Sequence, residues 1–435
     1  MGPTPDSQAR HLALSRPPVN WPWMVAFMFM GNVILWADRS NFSIAVNQWR
    51  SLYHWGPTVT GMLLSAFSFG YWLLQPIGGW LTDRIGPKQM LGYSMLGRSL
   101  CTLLTPIAPT VLWLTGGIRA MLGAVEAPFI PATASAVARA VPSRTMRGKY
   151  YAFTQSGATL GPAAGTFFGA LLAQQFGVTA IFVVFGGTGV LLASLWVLYA
   201  SRRGDPAPRM AVDREEERQR EQEPLVPIPK MLSSKWVWAF IVPYFALPYC
   251  QFMFLTWLPT YFVQYRHLHL VDAGIVSALP FIAAFFAANL VGYLSDGLSR
   301  AGRLPGDLHR KLFVYVGALL FVVPVLIAAR TDAVATAVVM IIIANAGLQF
   351  FVQPFWFMAT DISPRQAGTL SSFMNFFGIM GATVAPALTG LLVATTHSFL
   401  APFQLAAAIM AASAIAAGLF IRVRPLSELV GMARG

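Results

Sequence analysis

Two acidic side chains, Asp38 and Glu126, lie deep inside apolar stretches of the sequence, and each has an arginine nearby, Arg39 and Arg119. Ionisable groups are costly inside a membrane, so those present there commonly mark a path for a proton or a ligand. Burial favours the protonated carboxylate and a nearby arginine favours the ionised one, so protonation can respond to a ligand. We predict that Asp38 and Glu126 exchange protons; the alternative is a permanent structural salt bridge with Arg39 or Arg119.

The spacing of these charges indicates which of them share a helix face. Arg119 and Glu126 are two helical turns apart on one face, whereas Asp38 and Arg39 point about 100° apart. A fixed guanidinium binds a carboxylate through two parallel hydrogen bonds, so Arg119 is the predicted anchor for an anion and Arg39 the alternative. A third arginine, Arg98, is predicted to pack or to snorkel outside the site.

The surrounding sequence is that of a membrane protein. Of its 435 residues 56% are hydrophobic and only 11% are charged, and the mean hydropathy is +0.59. Apolar segments of about twenty residues, each long enough to cross a bilayer, recur along the chain. The predicted segments are 21–46, 58–82, 89–107, 110–136, 150–173, 178–200, 236–262, 272–295, 311–330, 333–358, 367–393 and 399–421. The polar first twenty residues predict no cleavable signal, so the first segment is expected to anchor the chain.

The net charge of +13 reflects topology. Most lysines and arginines fall in the termini and alternate loops, and only Arg50, Arg266 and Arg330 lie in the opposite loops. This asymmetry predicts a multi-pass protein of the cell membrane, with a bacterial inner membrane favoured, and places both termini in the cytoplasm. It argues against a nucleic-acid partner. Cys101 and Cys250 lie in apolar segments, so neither a disulfide framework nor a metal site is predicted.

The chain is predicted to contain two bundles of six helices. The predicted parts are a cytoplasmic tail at 1–20, bundles at 21–200 and 235–421, a charged cytoplasmic linker at 201–234 and a tail at 422–435. The halves echo each other: GWLTDRIGPK (79–88) resembles GYLSDG (292–297), and GATLGP (157–162) resembles GATVAP (381–386). Such a repeat predicts a substrate site between the halves, near the middle of the bilayer.

The first echo resembles the signature loop of the major facilitator superfamily. The resemblance implies an all-α membrane protein with the major facilitator fold, twelve transmembrane helices in two six-helix bundles. Charged side chains of this motif can pair with neighbouring helix ends and close a cytoplasmic gate. The predicted gate residues are Asp83, Arg84, Lys88, Arg147 and Asp296.

Four further motifs resemble the anion:cation symporter family, which includes bacterial sugar-acid transporters. They are WADRSNFSIA (36–45), AFSFGYWLLQP (66–76), RAMLGAVEAP (119–128) and FLTWLPTY (254–261). The resemblance implies that Asp38 and Glu126 are the protonatable pair. It also implies import of an organic carboxylate with protons through alternating access, a sugar acid such as an aldonate, hexuronate or aldarate being favoured.

Polar side chains on the apolar helices are candidate ligands for such a substrate. They are Tyr71, Gln75, Gln155, Gln353, Trp356 and Asn375, which join Arg39 and Arg119 in the predicted site. Hydroxyl and amide groups suit a polyol acid, but each could equally form a hydrogen bond between helices. Trp257 and Tyr261 are predicted to be gate or core aromatics.

The chain has no phosphate-binding loop, zinc spacing or nucleophile elbow, so it is predicted not to be an enzyme and to need no cofactor. The predicted partners are a small organic anion, protons and the lipid bilayer, and the fold suffices as a monomer. Exchange of organic anions is one alternative, since 157–162 also resembles an antiporter motif of the superfamily. Transport of aromatic or dicarboxylic acids is another, and a transporter-like membrane receptor is a more remote one.

Overall fold

A computed structural model describes residues 20–107, 109–140, 144–201, 225–301, 306–363 and 366–431. Within these residues every regular element is helical, which confirms the all-α prediction. The α-helices are α1 (Trp21–Leu52), α2 (Pro57–Ile85), α3 (Pro87–Leu104), α4 (Leu112–Glu126), α5 (Phe129–Ala140), α6 (Arg144–Phe176), α7 (Val178–Ser201), α8 (Ile228–Ser233), α9 (Lys235–Ile241), α10 (Ala246–Thr260), α11 (Leu270–Ala301), α12 (Gly306–Arg330), α13 (Val334–Ile362), α14 (Ala367–Thr396), α15 (Leu400–Phe420) and α16 (Leu426–Leu429).

Two of the twelve predicted segments are interrupted in the structure. The fourth is divided into α4 and α5 at a turn that contains Pro128. The seventh consists of α9, the 3₁₀ turn Val242–Phe245, α10 and the π turn Tyr261–Tyr265. Proline lacks a backbone N–H and crowds the preceding turn of a helix, so Pro128 and Pro243 account for irregular backbone at these points.

Eight spans among the described residues are long and apolar enough to cross a membrane. They correspond to the fourth predicted segment and to the sixth through the twelfth. The remaining four segments form α1, α2, α3 and α6, which contain Asp38, Gln75, Arg98 and Gln155 respectively. Polar residues such as these lower the hydropathy of the helices that contain them.

The described residues form two compact units, one within 1–41 and 69–211 and the other within 42–68 and 212–435. In the first unit, α6 packs against α1 at backbone distance. A methyl group added at Gly161 would meet the backbone oxygen of Val33 at 2.5 Å. The adjoining core contains Phe27 and Trp196, whose stacked rings lie 4.4 Å apart. Close contact of α1 and α6 therefore depends on glycine.

The second unit repeats this contact with its own glycine helix. A methyl at Gly381 of α14 would meet the backbone oxygen of Phe245 at 2.6 Å, just before α10. The two echoed motifs, 157–162 and 381–386, thus make equivalent backbone contacts in their own units. The predicted boundaries of the two bundles and of the linker stay a prediction.

Within the second unit, the first half of α2 lies directly on α14. A methyl at Gly61 would come within 2.5 Å of the backbone oxygen of Pro386, and one at Gly390 within 2.4 Å of the Pro57 oxygen. The backbone N–H of Ala387 donates to Ser65 Oγ at 3.0 Å. Small residues let the two backbones meet here, as is common where membrane helices cross closely.

We expect Gly61→Ala to lower the melting temperature of the purified protein, because the new methyl group has no room beside Pro386. Overpacking of this kind costs about 1–3 kcal/mol. Gly187→Ala on α7 is the matched control, since a methyl there meets no atom of the described residues within 4 Å. A melting temperature that is unchanged in Gly61→Ala would contradict the close contact of α2 and α14.

Candidate functional site

Five charged side chains form a buried cluster in the first unit. They come from α1, α3 and α4, and each is at most 5% exposed: Asp38, Arg39, Arg98, Arg119 and Glu126. We call these five side chains the charge cluster. Buried charges are stable only when they are paired or strongly hydrogen-bonded. The cluster therefore has to be understood through its pairs.

The first pair joins α1 to the end of α4. Arg39 Nε donates to Glu126 Oε1 over 2.9 Å, and the same oxygen also accepts from Arg39 Nη2. The Arg39 guanidinium lies 4.1 Å from the ring centre of Trp36 and 5.1 Å from that of Tyr71. Glu126 Oε2 accepts no hydrogen bond from the described residues. One carboxylate oxygen is thus held by Arg39, while the other has capacity for a proton or a ligand.

The second pair joins α1 to α3. Arg98 Nη1 donates to Asp38 Oδ2 over 2.7 Å, and Thr102 Oγ1 lies 3.1 Å from the same oxygen. Arg98 is fully buried. The prediction that Arg98 snorkels outside the site is therefore wrong, because the Asp38 carboxylate on α1 holds its guanidinium inside the unit.

Sequence reasoning missed Arg98 and Thr102 as members of the site. They are sixty or more residues from Asp38, and no motif marks them. A weaker signal was present, because residues four apart lie on one face of a helix and could contact one partner together.

Arg119, the predicted anchor, is also buried, at 3% exposure. Its charge interacts with those of Asp38, Glu126 and Arg39. With all groups ionised, three guanidinium groups face two carboxylates in the charge cluster, which leaves one excess positive charge. A cluster with this excess can accept an anion without further loss of charge balance. The assignment of Arg119 as anchor stays a prediction.

The other candidate ligands of the first unit have different surroundings. Tyr71 is buried beside Arg39 and Gln75 is partly exposed. Gln155 on α6 accepts a hydrogen bond from Asn32 Nδ2 on α1 over 3.3 Å. This is the interhelical contact that stood as the alternative to a ligand role for Gln155.

The remaining candidate ligands belong to the second unit. Gln353 and Trp356 lie on α13, and Asn375 lies on α14. Trp356 is 39% exposed and makes an edge-to-face contact with Tyr244, with 6.2 Å between ring centres. Gln353 and Asn375 are partly buried. Their predicted roles in binding stay predictions.

The family of the chain is decided by comparison with known proteins. The model of the Major Facilitator Superfamily matches residues 28–379, most of the chain. The chain belongs to this superfamily. Its fold is also found in two solved transporters. A bacterial homologue of the human lysosomal transporter Spinster matches with a TM-score of 0.71 and 15% identity, covering 94% of this chain and 96% of that one. A D-xylose-proton symporter matches with a TM-score of 0.71 and 12% identity, covering 92% of this chain and 97% of that one. It is a multi-pass membrane transporter with the twelve-helix fold, and not an enzyme.

Curated relatives of this transporter carry anions according to their names. The probable anion transporter 4 of rice chloroplasts is 31% identical over 86% of this chain, which spans 64% of the rice protein. The probable galactarate/D-glucarate transporter of Bacillus subtilis is 28% identical, covering 87% of both chains. The probable sulfoacetate transporter of Cupriavidus necator is 29% identical, covering 89% and 90%.

The predicted gate of this transporter is described only in part. The Arg84 side chain is exposed and lies 5.3 Å from the Trp80 ring centre, whereas Lys88 is buried at 7% exposure. The side chains of Asp83, Arg147 and Asp296 lie outside the described residues. The gate role of all five residues stays a prediction.

Next to Asp296, the side chain of Arg310 links three helices of the second unit. Arg310 of α12 donates to Ser295 Oγ of α11 over 2.9 Å and to Asp361 Oδ2 of α13 over 3.3 Å. Its guanidinium also lies 4.7 Å from the ring centre of Phe357. The end of the second signature motif is thus held by charge-assisted contacts, which suits a rigid gate element.

Proposed function

We propose that this transporter imports an organic carboxylate together with protons by alternating access. The observation that carries the proposal is the buried charge cluster, with its three guanidinium groups and two carboxylates. A guanidinium recognises a carboxylate through two parallel hydrogen bonds, which suits an anion anchor. Carboxylates inside a membrane are suited to carry protons. The cluster therefore contains the groups that an anion and proton symporter needs.

Charge balance supports coupling between the two substrates. When either Asp38 or Glu126 takes up a proton, the net charge of the cluster rises by one unit, since a negative charge is lost. An incoming anion is then attracted more strongly at the low dielectric of the site. By thermodynamic reciprocity, a bound anion favours proton uptake by the same factor. Anion and proton therefore promote each other's binding, which is the requirement for symport.

The relatives support an organic anion as the substrate. Among them are transporters named for galactarate and D-glucarate in Bacillus subtilis and Escherichia coli, for sulfoacetate in Cupriavidus necator and for ascorbate in Arabidopsis chloroplasts. Three of these four names concern hydroxylated acids. Tyr71 and Gln75 of the first unit would offer a hydroxyl and an amide group to such a molecule. A sugar acid, an aldarate in particular, is the first choice.

Two other transport mechanisms, anion exchange and sodium symport, are distinguished from proton symport by the test below. Exchange of organic anions is favoured by the antiporter-like motif at 157–162 on α6. Sodium coupling is favoured by one relative, a sodium-dependent phosphate transport protein of Arabidopsis chloroplasts, which is 29% identical over 85% of this chain. A receptor that binds without transport would accumulate nothing.

The test is uptake of radiolabelled galactarate and D-glucarate into proteoliposomes that contain the purified protein. We expect an inward proton gradient to drive accumulation, a protonophore to abolish it, and replacement of sodium by potassium to change nothing. Accumulation that needs sodium, or an anion inside the vesicle but no proton gradient, would refute proton symport. Binding of the two acids without uptake would establish the receptor instead.

A further inference from the structure

Arg98 is an arginine of the charge cluster and contacts Asp38. It lies on α3, is fully buried, and donates from Nη1 to Asp38 Oδ2 over 2.7 Å. Its Nε and Nη2 find no hydrogen-bond acceptor among the described residues. Breaking a buried ion pair by removing its counter-charge is strongly destabilising. Asp38 is therefore the group on which the stability of this buried arginine chiefly rests.

We propose that Arg98 and Thr102 of α3 set the pH at which Asp38 takes up and releases its proton. The proposal rests on proton coupling through Asp38, as proposed above. It assigns to α3 a positioning role, in which both residues act through the Asp38 carboxylate.

Several groups surround the Asp38 carboxylate, and Arg98 is in direct contact with it. Asn41 lies one turn away on the same helix, at the 3.5 Å limit of a hydrogen bond, and Arg119 interacts with Asp38 through its charge. Glu126 of α4 has Arg39 as its own partner. Arg98 forms an ion pair with Asp38, with 2.7 Å between Nη1 and Oδ2. A cation in direct contact favours the ionised carboxylate and so opposes the effect of burial.

Thr102 lets the site accommodate both protonation states of Asp38. Its Oγ1 lies 3.1 Å from Asp38 Oδ2 and 3.1 Å from the backbone oxygen of Arg98. A hydroxyl has one proton, so it can donate to only one of these acceptors at a time. When Asp38 is ionised, the hydroxyl donates to the carboxylate. When Asp38 is protonated, the hydroxyl turns to the Arg98 carbonyl and its oxygen can accept the Asp38 proton in a hydrogen bond.

Proton uptake by Asp38 has a consequence for the anion. The proton removes the negative charge that balances Arg98, and the guanidinium is left buried with excess positive charge around it. A bound carboxylate restores the balance from within the cluster. Arg98 thereby strengthens the coupling between proton and anion, and it also makes Asp38 release its proton readily once the anion has left.

The test compares Arg98→Gln with the wild type in two assays on proteoliposomes. The first is counterflow, the exchange of labelled for unlabelled galactarate, measured from pH 5 to 9. The second is net uptake driven by a proton gradient. We expect the pH midpoint of counterflow to move to higher pH by about 1–3 units, since an adjacent arginine affects a carboxylate by this amount. Net uptake by Arg98→Gln should fall at least tenfold, because Asp38 then fails to release its proton to the vesicle interior and the transport cycle is not completed.

Thr102→Val and Thr102→Ser provide a second test, which also applies if Arg98→Gln does not fold. Valine has nearly the shape of threonine but lacks the hydroxyl. The pH midpoint of counterflow in Thr102→Val should therefore move to higher pH, as in Arg98→Gln, whereas Thr102→Ser should keep the wild-type midpoint. In an Asp38→Asn background, Arg98→Gln should cause no further change in the pH profile. A wild-type midpoint in a folded Arg98→Gln, or in Thr102→Val, would overturn the inference. A wild type with no pH dependence at all would instead refute the proposed function.

Discussion

Replacing Asp38 by asparagine or Glu126 by glutamine should abolish accumulation of substrate under a proton gradient. Each amide keeps the shape of the carboxyl group and can still accept from its arginine through the remaining oxygen, so the pairs with Arg98 and Arg39 retain a hydrogen bond. An amide cannot take up a proton in this pH range. Gradient-driven uptake into proteoliposomes should therefore fall to the level of empty vesicles, while binding of the acid persists.

Asp332→Asn is the matched control for both variants. Asp332 is exposed between α12 and α13, so the same change of carboxylate to amide there should leave accumulation intact. The melting temperature of each variant shows whether it has folded. If both cluster variants still concentrate the acid under a pH gradient, the protons take another route and Asp38 and Glu126 are structural. If one variant alone fails, proton coupling depends on that carboxylate.

The pairing within the charge cluster could be predicted only in part from the sequence. Burial of Asp38, Arg39, Arg119 and Glu126 was predicted correctly, because such residues inside apolar segments have no aqueous loop within reach. The partners could not be predicted in the same way. Asp38 pairs with Arg98 of α3, and Glu126 pairs with Arg39, eighty-seven residues away. Helix packing decides such pairs, and neighbours in sequence point to different sides of their helix.

The twelve-helix fold was predicted more completely than the site, for a physical reason. A membrane-spanning helix must satisfy its backbone internally and expose apolar side chains to lipid, so long apolar segments mark such helices in the sequence. The glycines of the two echoed motifs explain why α6 and α14 each come within backbone distance of a neighbour in their own unit. A lone amide gives a weaker signal. Gln155 turned out to face Asn32, because the same group can bind a ligand or a neighbouring helix.

Arg119→Lys should weaken substrate binding by between tenfold and roughly a hundredfold, even though the positive charge is kept. A carboxylate can accept two parallel hydrogen bonds from a guanidinium. The ammonium group of lysine is a compact point charge and cannot form this bidentate pair. A hydrogen bond to a charged group contributes about 1.5–3 kcal/mol, and about 1.4 kcal/mol corresponds to a factor of ten. The dissociation constant for galactarate, measured by calorimetry on the purified protein, checks this.

Arg330→Lys, the same exchange at the exposed end of α12, is the matched control and should leave the dissociation constant unchanged. An Arg119→Lys protein that binds galactarate as tightly as the wild type would refute Arg119 as the anchor. Arg39 would then take that role only if it could leave Glu126, because its Nε and Nη2 both contact Glu126 Oε1. Arg39→Lys should in that case weaken binding, and the loss should be smaller in a Glu126→Gln background, where Arg39 is held less tightly. If neither lysine variant weakens binding, the carboxylate must be recognised by amide and hydroxyl groups.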